Sequence, residues 1–294
     1  VASFWADVSA ADISRISDRG WVMEWGRVMI GETDINAILK SQPPTRSAMA
    51  PAAIALANLS FSYPDKPNVL HDLNLDIHQG ERVGIVGYNG CGKTTLFMLV
   101  CGVLTPSTGS VALLGEPVAP GRFRPDIGLV FQNPDDQLFS ATVWEDVAFA
   151  PENMGLSPEE VEARVRSAMQ LTGTEALHQR PPHHLSGGEK RMVAIAGVLA
   201  MLPQVMIYDE PTANLDLRAR RRLIRFLQSS PQTFLTSSHD LEFILEVCDR
   251  VIVLNEGRIA ADGDPAQVMR DRVLMEASGL EVPHSLTHTH RSEP

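Results

Sequence analysis

Gly87-Tyr88-Asn89-Gly90-Cys91-Gly92-Lys93-Thr94 follows the short apolar run Arg82-Val83-Gly84-Ile85-Val86 and leads into Thr95 and a further apolar stretch. The spacing is G-x-x-x-x-G-K-T, and the context predicts a strand, a loop and then a helix. Glycines let consecutive backbone N–H groups turn inward on an anion. Lys93 reaches the β and γ oxygens of a nucleotide, and the Thr94 hydroxyl can ligate Mg²⁺. Residues 87–95 are therefore the expected ATP-binding segment of an α/β core. A kinase, a GTPase or a helicase would fit this loop equally well.

Leu185-Ser186-Gly187-Gly188-Glu189 narrows that choice. A helix that opens with a hydroxyl and two glycines presents bare N–H groups and a positive dipole end to an anion. Ser186-x-x-Glu189 is also a capping box, ahead of Arg191, Met192, Val193, Ile195 and Leu199. By itself the pentapeptide would suit any helix start, so its companions decide. Val205-Met206-Ile207-Tyr208-Asp209-Glu210-Pro211 reads as a strand that delivers two carboxylates to a sheet edge. Asp209 suits Mg²⁺, and Glu210 suits the water that attacks a γ-phosphate. Alone, the pair would also suit a solvated strand end. Thr236-Ser237-Ser238-His239-Asp240 puts a histidine at another strand end, and Gln132 ends the strand at Asp126-Ile127-Gly128-Leu129-Val130-Phe131.

The order of these pieces resembles the ATPase subunits of ABC transporters over about residues 54 to 280. The resemblance implies a P-loop NTPase core of ABC type with an antiparallel β-layer and an inserted α-helical subdomain. It makes Gln132 the Q-loop glutamine that touches metal and water, and His239 the switch histidine that senses the γ-phosphate. Tyr63, in Phe61-Ser62-Tyr63-Pro64, would stack on adenine. Ala213-Asn214-Leu215-Asp216 would be a D-loop coupling the two sites of a dimer, with Leu185 to Glu189 meeting the nucleotide held by the partner. Asn133-Pro134-Asp135-Asp136-Gln137-Leu138-Phe139, followed by Ser140-Ala141-Thr142-Val143-Trp144-Glu145-Asp146, looks like the energy-coupling-factor importers of vitamins and transition-metal ions. The close Gly279-Leu280-Glu281-Val282-Pro283-His284-Ser285-Leu286 is similar to the cobalt and nickel systems, with biotin or another vitamin still open.

Bulk properties bound the alternatives. The chain has 294 residues and a formal net charge of −11, which argues against a broad nucleic-acid footprint. The longest apolar run, from Met192, is broken at Pro203 and falls short of the ~20 residues of a spanning helix. Any membrane work then needs another subunit as anchor. Cys91, Cys101 and Cys248 show no disulfide or metal spacing, which fits a reducing cytosol. Cys91 stands in the loop where serine is usual in the family. A thiol beside Lys93 and a helix N-terminus would have a lowered pKa and react with alkylating reagents, unless it simply fills the loop.

Residues 1–48 differ from the rest. They hold Trp5, Trp21 and Trp25 and end in Ser41-Gln42-Pro43-Pro44. They read as an upstream translation artefact before a start at Met49, or else as an extension that docks on a partner. The ATPase domain then spans 49–280, with strands expected over 54–61 and 69–77. A helical subdomain runs over about 133–185, carrying a capping box at Thr142-x-x-Glu145 and a helix start at Ser157-Pro158. Residues 133–139 are expected to line a groove for a membrane subunit's helix, or to be a solvated loop. Residues 281–294 read as a polar tail, in which His284, His288 and His290 bind a metal or are simply disordered.

The resemblance implies ATP and Mg²⁺ as cofactors, with catalysis by Glu210, His239, Gln132 and Lys93, and with metal held by Thr94, Gln132 and Asp209. The implied partners are a second ATPase subunit, a transmembrane coupling subunit and a substrate-binding membrane subunit, with no nucleic acid. The expected place is the cytoplasmic face of a bacterial-type plasma membrane. A soluble ABC ATPase acting on nucleic acid, or a P-loop kinase, is the rival class.

Overall fold

Alternating apolar and polar residues shape the first strands. In the computed structural model, which describes residues 52–287, Ala52–Phe61 forms β1 and Leu70–His78 forms β2. Along β2, Leu73, Leu75 and Ile77 are buried while Asp72, Asn74 and Asp76 face outward, the period of a strand with one covered face. β3 (Arg82–Val86) leads into α1 (Lys93–Val100). β4 (Thr108–Leu113) then joins the free edge of β1, and β5 (Glu116–Pro117) follows it, in an antiparallel sheet of order β2-β1-β4-β5.

The second sheet adds β6 (Ile127–Val130), β7 (Val205–Tyr208), β8 (Thr233–Ser237), β9 (Arg250–Asn255) and β10 (Arg258–Gly263), in the order β10-β9-β3-β8-β7-β6. All its pairings are parallel except β10 with β9. Its inner strands are almost wholly buried because both faces are covered, whereas the edge strand β10 alternates exposed and half-buried residues. Val83, Ile85, Val205 and Ile207 pack towards the β-layer and α1, whereas Met206, Tyr208, Phe234 and Val253 pack towards the helices. Parallel alignment brings the carboxyl ends of β3, β6, β7 and β8 to one edge, where ligands of open α/β sheets bind.

Between β6 and β7 lie α2 (Val143–Asn153), α3 (Pro158–Thr172) and α4 (Gly187–Leu199). Capping boxes at Thr142/Glu145, Ser157/Glu160 and Ser186/Glu189 start all three, each satisfying N–H groups that a helix start leaves free. α4 packs on both α2 and α3, so the helical unit continues past residue 185, where the sequence reading closes it. The rest of the chain adds α5 (Leu217–Ser229), α6 (Leu241–Val247), α7 (Pro265–Arg270), α8 (Arg272–Ala277) and α9 (His284–Thr287).

One expectation is corrected here. Residues 281–287 are not a loose polar tail: Leu280, Val282 and Leu286 pack on the helical core. The Ser285 N–H and hydroxyl both donate to Glu242, at 2.9 and 2.6 Å. Three spaced apolar side chains in a polar stretch were enough to dock it. Met49, the three N-terminal tryptophans, His288 and His290 lie outside the described residues.

Candidate active site

The chain turns from β3 into α1 through residues 87–92, in space that excludes side chains. A Cβ on Gly87 would stand 2.3 Å from the Leu254 carbonyl oxygen. Gly92, at φ +112°, would place one 2.6 Å from Leu70 Cδ2. Lys93 Nζ donates back to the Gly87 and Tyr88 carbonyls at 2.8 and 3.2 Å, which fixes the ammonium against the loop.

Cys91 departs from expectation. The side chain is buried with Leu96 and Phe97 in the core beneath the β-layer, and its Sγ lies 2.6 Å from where a Gly87 Cβ would be. Burial pushes the thiol's pKa up, and Lys93 offsets only part of that rise. The loop turns this side chain inward, so proximity to Lys93 in sequence does not activate it.

β7 and β8 deliver a connected set of oxygen groups. Thr94 Oγ1 donates to Asp209 Oδ2 at 2.7 Å, and Ser237 Oγ donates to Asp209 Oδ1 at 2.6 Å. The same Ser237 hydroxyl accepts the Glu210 N–H at 2.9 Å. Glu210 sits at φ +47°, a left-handed conformation that costs a non-glycine residue energy and persists only where surroundings impose it. Its Oε2 accepts the His239 N–H at 3.0 Å. Its Oε1 is buried without a hydrogen-bond partner, and His239 Nε2 lies 3.3 Å from it. Burial raises the Glu210 carboxyl above the ordinary carboxylate range; His239 and Lys93 counter part of this and Asp209 adds to it.

A cleft of about 170 Å³ gathers most of the residues expected from sequence: Tyr63, Asn89, Gly90, Gly92, Lys93, Thr94, Thr95, Gln132, Asp209, Glu210 and His239. Gly87, Tyr88 and Cys91 do not line it. The Tyr63 ring meets Phe61 edge-on at 4.7 Å, with its hydroxyl 3.3 Å from Thr95 Oγ1. Leu185 to Glu189 and Asp216 lie outside this cleft. Ser186 and Glu189 close their capping box through three hydrogen bonds of 2.8, 2.8 and 3.3 Å, which hold the Glu189 carboxyl below its usual range. Asp216 caps α5, accepting the Ala219 N–H at 2.8 Å.

The donor set fits Mg²⁺ chemically. It offers hard oxygens from Thr94, Asp209 and Gln132, plus an orphaned Glu210 oxygen nearby. Among the described residues no group of three or more His, Cys, Asp or Glu is arranged for a metal. That suits an ion held by one carboxylate together with phosphate and water, rather than by an all-protein cage.

Three residues at or beside the site went unassigned by sequence reasoning. Ser237 was quoted in its motif, but only the strand register shows its hydroxyl between the Asp209 carboxylate and the Glu210 backbone N–H. Lys66 lines the cleft from a tight turn with Tyr63 and carries no motif. Arg191 is named in the sequence only as following the helix start, with no role; it is buried and donates to the Phe131 and Gln132 carbonyls.

Apart from this cleft, Gln137, Leu138 and Phe139 line an apolar groove of about 240 Å³ with Met98, Phe123 and Phe149. Asn133 to Asp136, also expected there, stand outside it: Asn133 caps a 3-10 turn and Asp135 pairs with Lys190. Asp146 forms part of the groove wall, its Oδ1 accepting the Phe139 and Ser140 N–H groups at 3.0 and 2.9 Å. Burial raises the Asp146 carboxyl, and its Oδ2 has no hydrogen-bond partner.

Residues 70–213 match the family model described as ABC transporter. A putative ABC transporter ATP-binding protein of Synechocystis is 52% identical over 274 residues, covering 93% of this chain and 96% of that protein. Residues 49–294 alone do not reach that share, so the similarity runs into the segment before Met49. The energy-coupling factor transporter ATP-binding protein EcfA of Methanothermobacter thermautotrophicus is 46% identical, covering 79% of this chain and 77% of that protein. Among solved structures, CbiO1 of Clostridium perfringens, part of the ABC transporter complex CbiONQ, superposes with a TM-score of 0.69 at 38% identity, covering 76% of this chain and 93% of that one.

Proposed function

This chain belongs to the family of ABC transporter ATP-binding proteins, as an ATP-hydrolysing subunit of the energy-coupling-factor type, and we propose that it energises uptake of cobalt or nickel ions. The observation that carries the reading is the single sheet edge on which the phosphate loop, Gln132, Asp209, Glu210 and His239 converge, while the signature stands apart on α4. The substrate rests on the likeness of residues 279–286 to the cobalt and nickel systems and on similarity to a CbiO protein.

In this reading Tyr63 stacks on adenine, and Lys93 with the loop amides of residues 88–92 holds the phosphates. Thr94, Asp209 and Gln132 would hold Mg²⁺, which would neutralise phosphate charge. Glu210, kept poised by burial, orients a water and takes its proton as the water oxygen bonds to the γ-phosphorus. The bond from that phosphorus to the bridging oxygen then breaks, and ADP carries the electron pair away. His239, whose Nε2 lies 3.3 Å from Glu210 Oε1, would contact the γ-phosphate. Fixed donors aimed at developing charge supply the larger share of such catalysis.

The signature residues Leu185 to Glu189 serve a partner's nucleotide, so the active unit is a dimer; both halves of the site are intact in one chain, which permits a homodimer. Asp216 and its loop couple the two sites. No helix among the described residues is long and apolar enough to cross a membrane. A transmembrane coupling subunit therefore holds the dimer at the cytoplasmic face, its helix seated in the groove at Leu138 and Phe139, and a substrate-binding membrane subunit supplies the ion. The ATPase domain spans 49–280.

Uptake assays on membranes carrying the chain with its native membrane subunits test the reading. ATP-dependent accumulation of Co²⁺ or Ni²⁺, lost in Glu210→Gln, is expected. Accumulation of biotin instead would overturn the substrate, and hydrolysis without any membrane partner's influence would overturn the transport role.

A further inference from the structure

α4 carries the signature at its first turn and Arg191 one turn further on. Arg191 is only 2% exposed, and its guanidinium donates to the Phe131 carbonyl at 2.5 Å and to the Gln132 carbonyl at 2.6 Å. Its Nε is buried without a partner. Burial lowers its pKa to about 10, with Asp209 acting in the other direction, so it stays charged at neutral pH. A cation spends desolvation energy in such a place, and a bidentate pair of short bonds is what offsets it.

Besides apolar packing, two other polar side-chain contacts among the described residues join this helix to the segment after Phe131, and both are weaker. Lys190 pairs with Asp135 at 2.6 Å, but the Asp135 side chain is 62% exposed, and exposed pairs contribute little. Gln137 Nε2 reaches the Ala194 carbonyl at 3.4 Å, beyond the usual hydrogen-bond range. Arg191 is therefore the stiff link. Its planar fork fixes two successive carbonyls at once, which a point charge cannot do.

We propose that Arg191 is a positioning residue that locks the backbone of Gln132 to the signature helix α4, so that displacement of Gln132 by nucleotide moves Ser186 with it. The inference rests on the reading of Gln132 as a nucleotide-sensing residue. Arg191 itself does not line the cleft. It sets where the Gln132 amide points on one side and where the signature presents to a partner on the other. Loss of the guanidinium leaves the phosphate loop untouched and loosens the connection between the two.

ATPase kinetics of the full chain assembled with its membrane subunits test this, using Arg191→Met, Gln132→Ala and the double variant. Arg191→Met should lower kcat about tenfold and leave KM for ATP within about twofold of wild type. In the Gln132→Ala background the same change should lower kcat by less than about twofold, because the residue through which it acts is gone. Arg191→Lys, which can satisfy one carbonyl, should fall between, and it carries the same cycle if thermal melting shows that Arg191→Met does not fold. Independent, multiplicative losses overturn the inference alone. Wild-type kcat in Gln132→Ala would instead overturn the reading beneath it.

Discussion

The Ser237 hydroxyl donates to Asp209 Oδ1 at 2.6 Å while accepting the Glu210 N–H at 2.9 Å. One small side chain on β8 thus holds the Asp209 carboxylate and the Glu210 backbone, two successive residues just past the end of β7. With Thr94 on the other Asp209 oxygen, both lobes of that carboxylate are oriented before any ligand arrives.

Ser237→Ala should therefore cost stability and rate together. It leaves Asp209 Oδ1 and the Glu210 N–H buried without their shared partner, at about 2 kcal/mol for a bond to a charged group. Thermal unfolding should show that loss, and kcat should fall with ATP affinity kept. An unchanged kcat would mean that Glu210 holds its φ +47° geometry without this hydroxyl.

Glu210→Gln should bind ATP, hydrolyse almost none and accumulate as a closed dimer, read by size-exclusion chromatography with ATP. The raised Glu210 carboxyl also has a pH signature. Its folded-state pKa lies above the unfolded value of about 4.3, so stability is greatest below that value and declines as pH rises through the raised one. Glu210→Gln should flatten this decline in a melting series against pH. In the wild type, the acid limb of kcat should lie above the ordinary glutamate range.

Cys91 should resist alkylation in the native chain, with or without ATP, because the thiol is buried and its pKa is raised. Cys91→Ser should keep hydrolysis. Mass spectrometry after brief maleimide treatment decides the point, and rapid labelling of Cys91 blocked by ATP would show that the loop opens.

Changes at the signature should spare nucleotide binding and stop turnover. Ser186→Ala removes the capping hydroxyl, worth about 1 kcal/mol, from a helix start outside the cleft. Gly188→Ala would put its Cβ 2.6 Å from Ala219 Cβ, forcing α4 away from α5. Equilibrium ATP binding should be unchanged in both and dimer closure lost; a fall in affinity would place the signature in its own chain's cleft.

The fold was legible where local chemistry and global need coincide. The capping boxes at Thr142, Ser157 and Ser186, the alternation in β2 and the apolar run of β7 each satisfy a rule that acts within a few residues. Of the two readings of Cys91, the structure supports the side chain that fills the loop and not the reactive thiol; which one holds depends on a core that includes Leu70 and Leu254, both distant in sequence. The docked residues 281–287 were missed because their apolar side chains are sparse and their partner, Glu242, lies on another helix.

From the chain alone came the identity of the groups: a phosphate loop, two carboxylates, a glutamine, a histidine and a separate glycine-rich helix start, because each motif carries its own spacing. Tertiary structure alone decided their connections. Parallel pairing of β3, β8, β7 and β6 puts four strand ends on one edge, a register that no single strand encodes. That register sets Ser237 between Asp209 and Glu210 and lets helix packing drive Arg191 into the carbonyls of Phe131 and Gln132. Such contacts join residues tens of positions apart, so only the folded chain defines them.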